Sequence, residues 1–176
     1  MSRAIEALIQ ELDQEAQTTK RVLERVPGDK LAWKPHDKSM SLGQLALHVA
    51  TCPGSVAEMA RQQPFQAPQF VQPGAKSVSE LLPALDQSVA RAKDILRSMD
   101  DSALGKMWTL MDGDREVFSL PVAILLRSIM LNHWYHHRGQ LSVYIRQVGG
   151  LVPSIYGPSA DENPFAAMAQ KQAAAV

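Results

Sequence analysis

Cysteine is nearly absent from this chain of 176 residues, which holds one, Cys52. No internal disulfide is possible, which suits a reducing compartment, and a cytoplasmic protein is expected. Excess charge of either sign is missing too. Eighteen basic residues balance eighteen acidic ones. No basic stripe stands out, so nucleic-acid binding is not expected. Long apolar runs are also lacking. The richest stretch, Val117 to Leu131, is broken by Ser119, Pro121, Arg127 and Ser128, well short of the ~20 residues a bilayer crossing needs. The N-terminus, Met1-Ser2-Arg3-Ala4-Ile5-Glu6, has no apolar signal-peptide core, and no membrane partner is expected. Neither a Ser-His-Asp order nor a Gly-rich phosphate loop is visible, and no residue is assigned as catalytic acid, base or nucleophile.

What remains is ample for one core, since 45% of residues are hydrophobic. A single domain is expected over residues 1–165, followed by an Ala- and Gln-rich tail, 166–176. Four long amphipathic helices are predicted. The first runs from about Arg3 to Arg25, with Ile5, Leu8, Ile9, Leu12, Ala16, Thr19 and Leu23 on one face and Pro27-Gly28 as its stop. The second begins at Ser41, a plausible N-cap. Pro53 within it cannot donate to the Val49 carbonyl, so a kink or break is expected just after His48. A Pro- and Gln-rich loop spans Gln62 to Gly74. The third helix covers Ser77 to Met99. A small hairpin around Asp112-Gly113 precedes a fourth helix, from Ser119-Leu120-Pro121 to Gly149-Gly150. The expected fold class is therefore all-α, a helix bundle. Its long second loop can cross the bundle end.

The strongest chemical signal is His133 and His137 in Leu131-Asn132-His133-Trp134-Tyr135-His136-His137-Arg138-Gly139-Gln140. Four residues apart on a helix, two side chains stand about 40° apart around the axis, one turn above the other. Two imidazoles so placed can grip one metal ion. With His133 at zero, Val122, Leu126, Ile129, Met130 and Tyr144 centre an apolar face near about +20°. On that count His133 and His137 point into the bundle and His136 lies at its flank. Gln140 points inward as a partner for a ligand ring. His48, in Leu45-Ala46-Leu47-His48-Val49, is the other His embedded in an apolar helix. Three His from two helices leave a coordination position open, as catalytic metal sites do. Cys52, one turn after His48, is read as a buried small residue, with a fourth-ligand role as the alternative. His36, in a polar loop, is expected in solvent.

Three segments carry a family resemblance: Ser41-Leu42-Gly43-Gln44-Leu45-Ala46-Leu47-His48, His133 through Leu141, and Val152-Pro153-Ser154-Ile155-Tyr156-Gly157-Pro158-Ser159-Ala160-Asp161-Glu162. Through them the chain resembles the DinB/YfiT-like superfamily of metalloenzymes. The resemblance implies a four-helix bundle with a long crossover connection, often a homodimer. It also implies a divalent metal, typically zinc or nickel, held by His48, His133 and His137. His136 matches an additional His beside the last ligand. Relatives include bacillithiol-type S-transferases and a mycothiol-dependent isomerase, so a low-molecular-weight thiol enters as a possible cofactor beside a small-molecule substrate. The expectation is a metal-dependent enzyme, thiol (S-)transferase-like or hydrolase-like; a hydrolase would need a general base, for which Asp161 and Glu162 are candidates if their loop covers the site. The alternative is a non-catalytic metal- or ligand-binding dimeric bundle, with the fourth metal position closed.

Overall fold

The structure, a computed structural model, describes residues 2–68 and 71–166. The tail expected over 166–176 therefore lies almost wholly outside the described residues. Helix α1 spans Arg3–Leu23, its first turn capped by the Ser2 side chain, which accepts from the Ile5 amide. Helix α2 spans Leu42–Ala60. Ser41 and Gln44 form a reciprocal capping box at its start, each side chain accepting from the other's backbone amide. Helix α3 spans Leu81–Arg97, and a short α4 covers Asp101–Gly105.

Strand β1 is Phe65–Gln66, inside the loop expected after α2. It pairs parallel with β2, Met107–Asp112, which pairs antiparallel with β3, Arg115–Pro121. The hairpin turn needs a positive φ, and Gly113 supplies it at 60°. The buried Trp108 of β2 donates its indole N–H to the Met59 carbonyl at 2.9 Å. That bond fixes the sheet to the C-terminal end of α2.

The last long helix begins after Pro121, not at Ser119, because Ser119 still belongs to the β2–β3 ladder and pairs with Thr109. It runs unbroken in three parts: α5 at Val122–Leu125, a π-helical stretch at Leu126–Asn132, and α6 at His133–Gln147. Gly149, at φ +83°, lets the chain reverse beyond it. Helix α3 packs between α1 and α2, and α6 closes the ring between α2 and α1. The expected four-helix bundle is thus present, with a minor sheet at one end.

Two expectations about helix geometry are corrected. Of the kink or break expected at Pro53, the break is overturned: helix α2 is continuous through it. The carbonyl that Pro53 leaves without an amide, that of Val49, instead accepts the Trp134 indole N–H at 2.7 Å. An outside donor has satisfied the group that would otherwise favour breaking the helix. The π-helical stretch corrects the angular reading of the fourth helix. An i→i+5 turn holds about one extra residue, which rotates everything upstream by about 100° relative to α6. The face expected near about +20° therefore moves to about +120°. That is where α6 buries Trp134, Arg138, Leu141 and Ile145. His133 and His137 lie at the edge of this stripe, half-buried, while His136 and Gln140 are exposed.

Candidate metal centre

His48 comes from the middle of α2, where Leu45, Ala46, Val49 and Ala50 are all buried. His133 is the first residue of α6, directly after the π-helical stretch, and His137 is one turn on. One ring nitrogen from each of the three lies within 4.8 Å of the others. The Nε2 atoms of His48 and His133 face each other at 3.2 Å. The three rings meet edge to face, with centroids 4.3 to 5.3 Å apart. Nitrogens bound tetrahedrally to one ion at 2.0–2.1 Å are separated by about 3.3 Å. The His48–His133 edge already has that length, so the donor set fits a divalent ion.

Electrostatics push the same way. Burial, helped by the neighbouring His137 and His133, pulls the His48 pKa down from its ordinary 6.5 to about 4. Burial also lowers His133 and His137. All three imidazoles are therefore neutral at pH 7, with lone pairs available. Gln140 Oε1 lies 2.7 Å from His137 Nδ1. A carbonyl oxygen can only accept, so Nδ1 carries the proton and His137 presents its Nε2 lone pair. Gln140 does this from the exposed rim, not from the inward position expected of it.

The remaining sequence candidates lie elsewhere. His136 is exposed and edges onto the His137 ring at 5.1 Å. His36, in solvent, accepts the Lys38 amide. Cys52 is buried, its thiol pushed up to about 12 by burial, and it is not among the clustered donors. Asp161 is bound by the Arg146 guanidinium and accepts the Val152 amide at 2.8 Å. Glu162 is paired with Arg21 and accepts the Ser154 amide at 3.3 Å. Both carboxylates tie the segment after α6 back onto α1 and α6, and neither joins the histidine cluster.

A second polar centre lies on the other side of α6 and was not read from the sequence. Arg138, only 1% exposed, meets Glu15 of α1 at 2.6 Å. It also donates to the Glu15 carbonyl and to Thr19 Oγ1, each at 3.2 Å, and to the Tyr156 hydroxyl. Tyr156 donates in turn to Glu15 Oε2 at 2.8 Å. An acidic residue on the apolar face of α1, one turn before Thr19, was the available signal.

The comparisons agree with this architecture. A family model for the DinB family matches residues 1–170. The uncharacterized protein YrdA of Bacillus subtilis (strain 168) is 26% identical over 166 residues, covering 92% of this chain and 93% of that protein. A DinB-like protein from Bacillus cereus ATCC 10987 superposes with a TM-score of 0.66 at 22% identity, covering 86% of this chain and 97% of the other. YfiT from Bacillus subtilis, described as a probable metal-dependent hydrolase with an unusual four-helix bundle topology, gives 0.60 at 16% identity, covering 85% and 90%. A mycothiol-dependent maleylpyruvate isomerase gives 0.51 at 13%, covering 87% of this chain and 65% of the other. Matched over residues 1–170 by the family model, this chain belongs to the DinB family.

Proposed function

We propose that this protein is a metal-dependent enzyme whose divalent ion is held by His48, His133 and His137, with thiol (S-)transfer as its reaction class. The convergence of the three ring nitrogens within 4.8 Å carries the reading. Bound there by neutral ligands only, a zinc or nickel ion keeps its full charge and supplies a Lewis acid that favours an anionic partner, thiolate or hydroxide. The chain's own residues set the rest. Gln140 holds the His137 proton on Nδ1, and burial keeps His48 from taking a proton that would compete with the ion.

Hydrolysis wants a carboxylate base beside the site. Asp161 and Glu162 are engaged by Arg146 and Arg21. A thiol substrate asks for no such base once its sulfur is ionised. That engagement favours thiol chemistry, and a neighbour of similar fold, a mycothiol-dependent isomerase, is itself thiol-dependent. Hydrolysis is the second reading, favoured by the description of YfiT.

The test is elemental analysis of protein purified without an affinity tag, beside the His48→Ala/His133→Ala/His137→Ala variant. About one ion per chain, absent from the variant, is expected. The loaded protein should then move a low-molecular-weight thiol onto an electrophile faster than it cleaves esters or amides. No uptake, even after incubation with zinc or nickel, would leave a bundle without a metal centre.

A further inference from the structure

We infer that Trp134 and Pro53 form a latch that sets the register of α6 against α2 and so brings His133 to His48. The inference rests on the metal-centre reading for its purpose, but its geometry stands apart from it. Pro53 has no amide hydrogen, and its ring crowds the carbonyl four residues back. Within the otherwise continuous α2 that carbonyl belongs to Val49. The Trp134 indole N–H supplies the missing donor at 2.7 Å, and both residues are completely buried.

The positions of the partners in the chain give the bond its consequence. Val49 follows His48 directly, and Trp134 follows His133 directly. One buried hydrogen bond therefore joins the residues immediately beyond the two facing imidazoles. A slide of α6 by one residue along α2 would move His133 by about 1.5 Å and leave a buried carbonyl and a buried indole N–H unpaired. The 3.2 Å between the two Nε2 atoms is thus held by an interaction that involves no metal. Trp134 is a positioning residue: it acts on the centre through the backbone of α2 and the first turn of α6. Pro53 prepares the acceptor.

Zinc affinity, measured by competition with a chromophoric chelator, tests the latch alongside a readout that needs no metal. That readout is the nuclear Overhauser contact between the ring protons of His48 and His133 in metal-free protein. Trp134→Phe keeps an aromatic ring and removes the donor. It should weaken zinc binding by about ten-fold, the usual scale for a lost supporting interaction around a metal, and weaken the ring-to-ring contact. Benzothienylalanine at position 134 keeps the indole shape with sulfur in place of N–H, and serves if the Phe variant does not fold. Pro53→Ala returns an amide to α2 that competes for the Val49 carbonyl. It should raise thermal stability while lowering zinc affinity by a smaller factor, a combination that a merely structural proline would not give. Unchanged zinc affinity and an unchanged ring contact without the indole donor would overturn the latch. If the wild-type protein takes up no zinc, the proposed function falls, and the ring contact alone decides whether the latch places the two rings.

Discussion

Two faces of α6, divided between the adjacent residues His137 and Arg138, handle buried polarity in opposite ways. Toward α1, Arg138 meets Glu15, Thr19 and Tyr156, and the charge is answered by protein partners on every side. The guanidinium also lies over the Tyr135 and Tyr156 rings at 5.2 and 5.1 Å. Among the described residues no fully buried side-chain nitrogen or oxygen lacks a partner. Toward α2, three neutral imidazoles turn ring nitrogens toward one another, and the Nε2 atoms of His48 and His133 have each other at 3.2 Å. With both as bare lone pairs they repel; with one protonated they share a single hydrogen bond. The first face is complete as built. The second is half-buried, with three ring nitrogens gathered within 4.8 Å of one another. The difference lies in the partners: one face answers a charge with protein groups, the other brings neutral donors within reach of a single cation.

The largest effect should come from breaking the complete face. Arg138→Met leaves Glu15 buried without its partner, and loss of one member of a buried pair costs about 3–5 kcal/mol. Denaturant unfolding should show it as a lower midpoint. Adding Glu15→Leu should recover most of the loss, because removing both charges spares the desolvation that either one alone incurs. An Arg138→Met protein as stable as wild type would mean that Glu15 finds water in the folded state.

Breaking the open face should act on metal rather than on the fold. His133→Ala and His137→Ala each remove one of the three ligands proposed above, and zinc affinity should fall at least about 100-fold, which is about 2.7 kcal/mol. Thermal stability of the metal-free proteins should change little, since both rings are only half-buried. His36→Ala should leave zinc affinity as it was. In the wild type, zinc at 100 times its Kd should add about 2.7 kcal/mol of stability, and a chelator should remove it.

Sequence reading reached the two faces unequally, for a physical reason. The histidine spacing is local: i and i+4 on one helix need no knowledge of the fold, and His48 stood out as an imidazole inside an apolar stretch. The Ser41–Gln44 capping box is equally local. Direction was not legible, because it depends on turn geometry upstream. A straight 100° count across Leu126–Asn132 aims His133 and His137 at the core, whereas the extra residue of the π turn leaves them at its edge. The Arg138–Glu15 pair spans 123 positions; Glu15 on the apolar face of α1 signals a buried carboxylate, but not which distant cation answers it. The role of Pro53 was half-legible. The sequence shows which carbonyl loses its donor but not that an indole from α6 replaces it.

The pH dependence of the metal-free protein sharpens the contrast further. His48 holds its proton only below about 4 when folded, against an ordinary 6.5. Between those values the unfolded chain binds more protons than the native one, so stability falls as pH drops from about 6.5 toward 4 and levels off below. His133 and His137 shift in the same direction and add to the slope. Chemical unfolding of the apo protein at a series of pH values should show this decline. His48→Gln should flatten part of it, and saturating zinc should steepen it, since protons then displace a bound ion. A metal-free protein whose stability stays level from pH 7 to 5 would place the three rings in water.

The smallest effect belongs to Gln140, and it shows how the open face differs from the closed one. Arg138 has its partners in the core, whereas His137 is oriented by an amide on the exposed rim, through a 2.7 Å bond to Nδ1. Gln140→Leu removes that acceptor without opening a cavity, so folding stability should stay within about 0.5 kcal/mol. Zinc affinity should fall by about ten-fold as the ring loses its fixed tautomer and orientation. Gln140→Glu keeps an acceptor at the same reach and adds a negative charge, so affinity should hold or rise. Competition titration of the three proteins under one buffer separates the outcomes. Equal affinity in all three would mean that packing against His48 and His133 alone aims the His137 ring. A loss in the Leu variant rescued by Glu would mean that the His137 ring is aimed from the exposed rim of α6 rather than from the core.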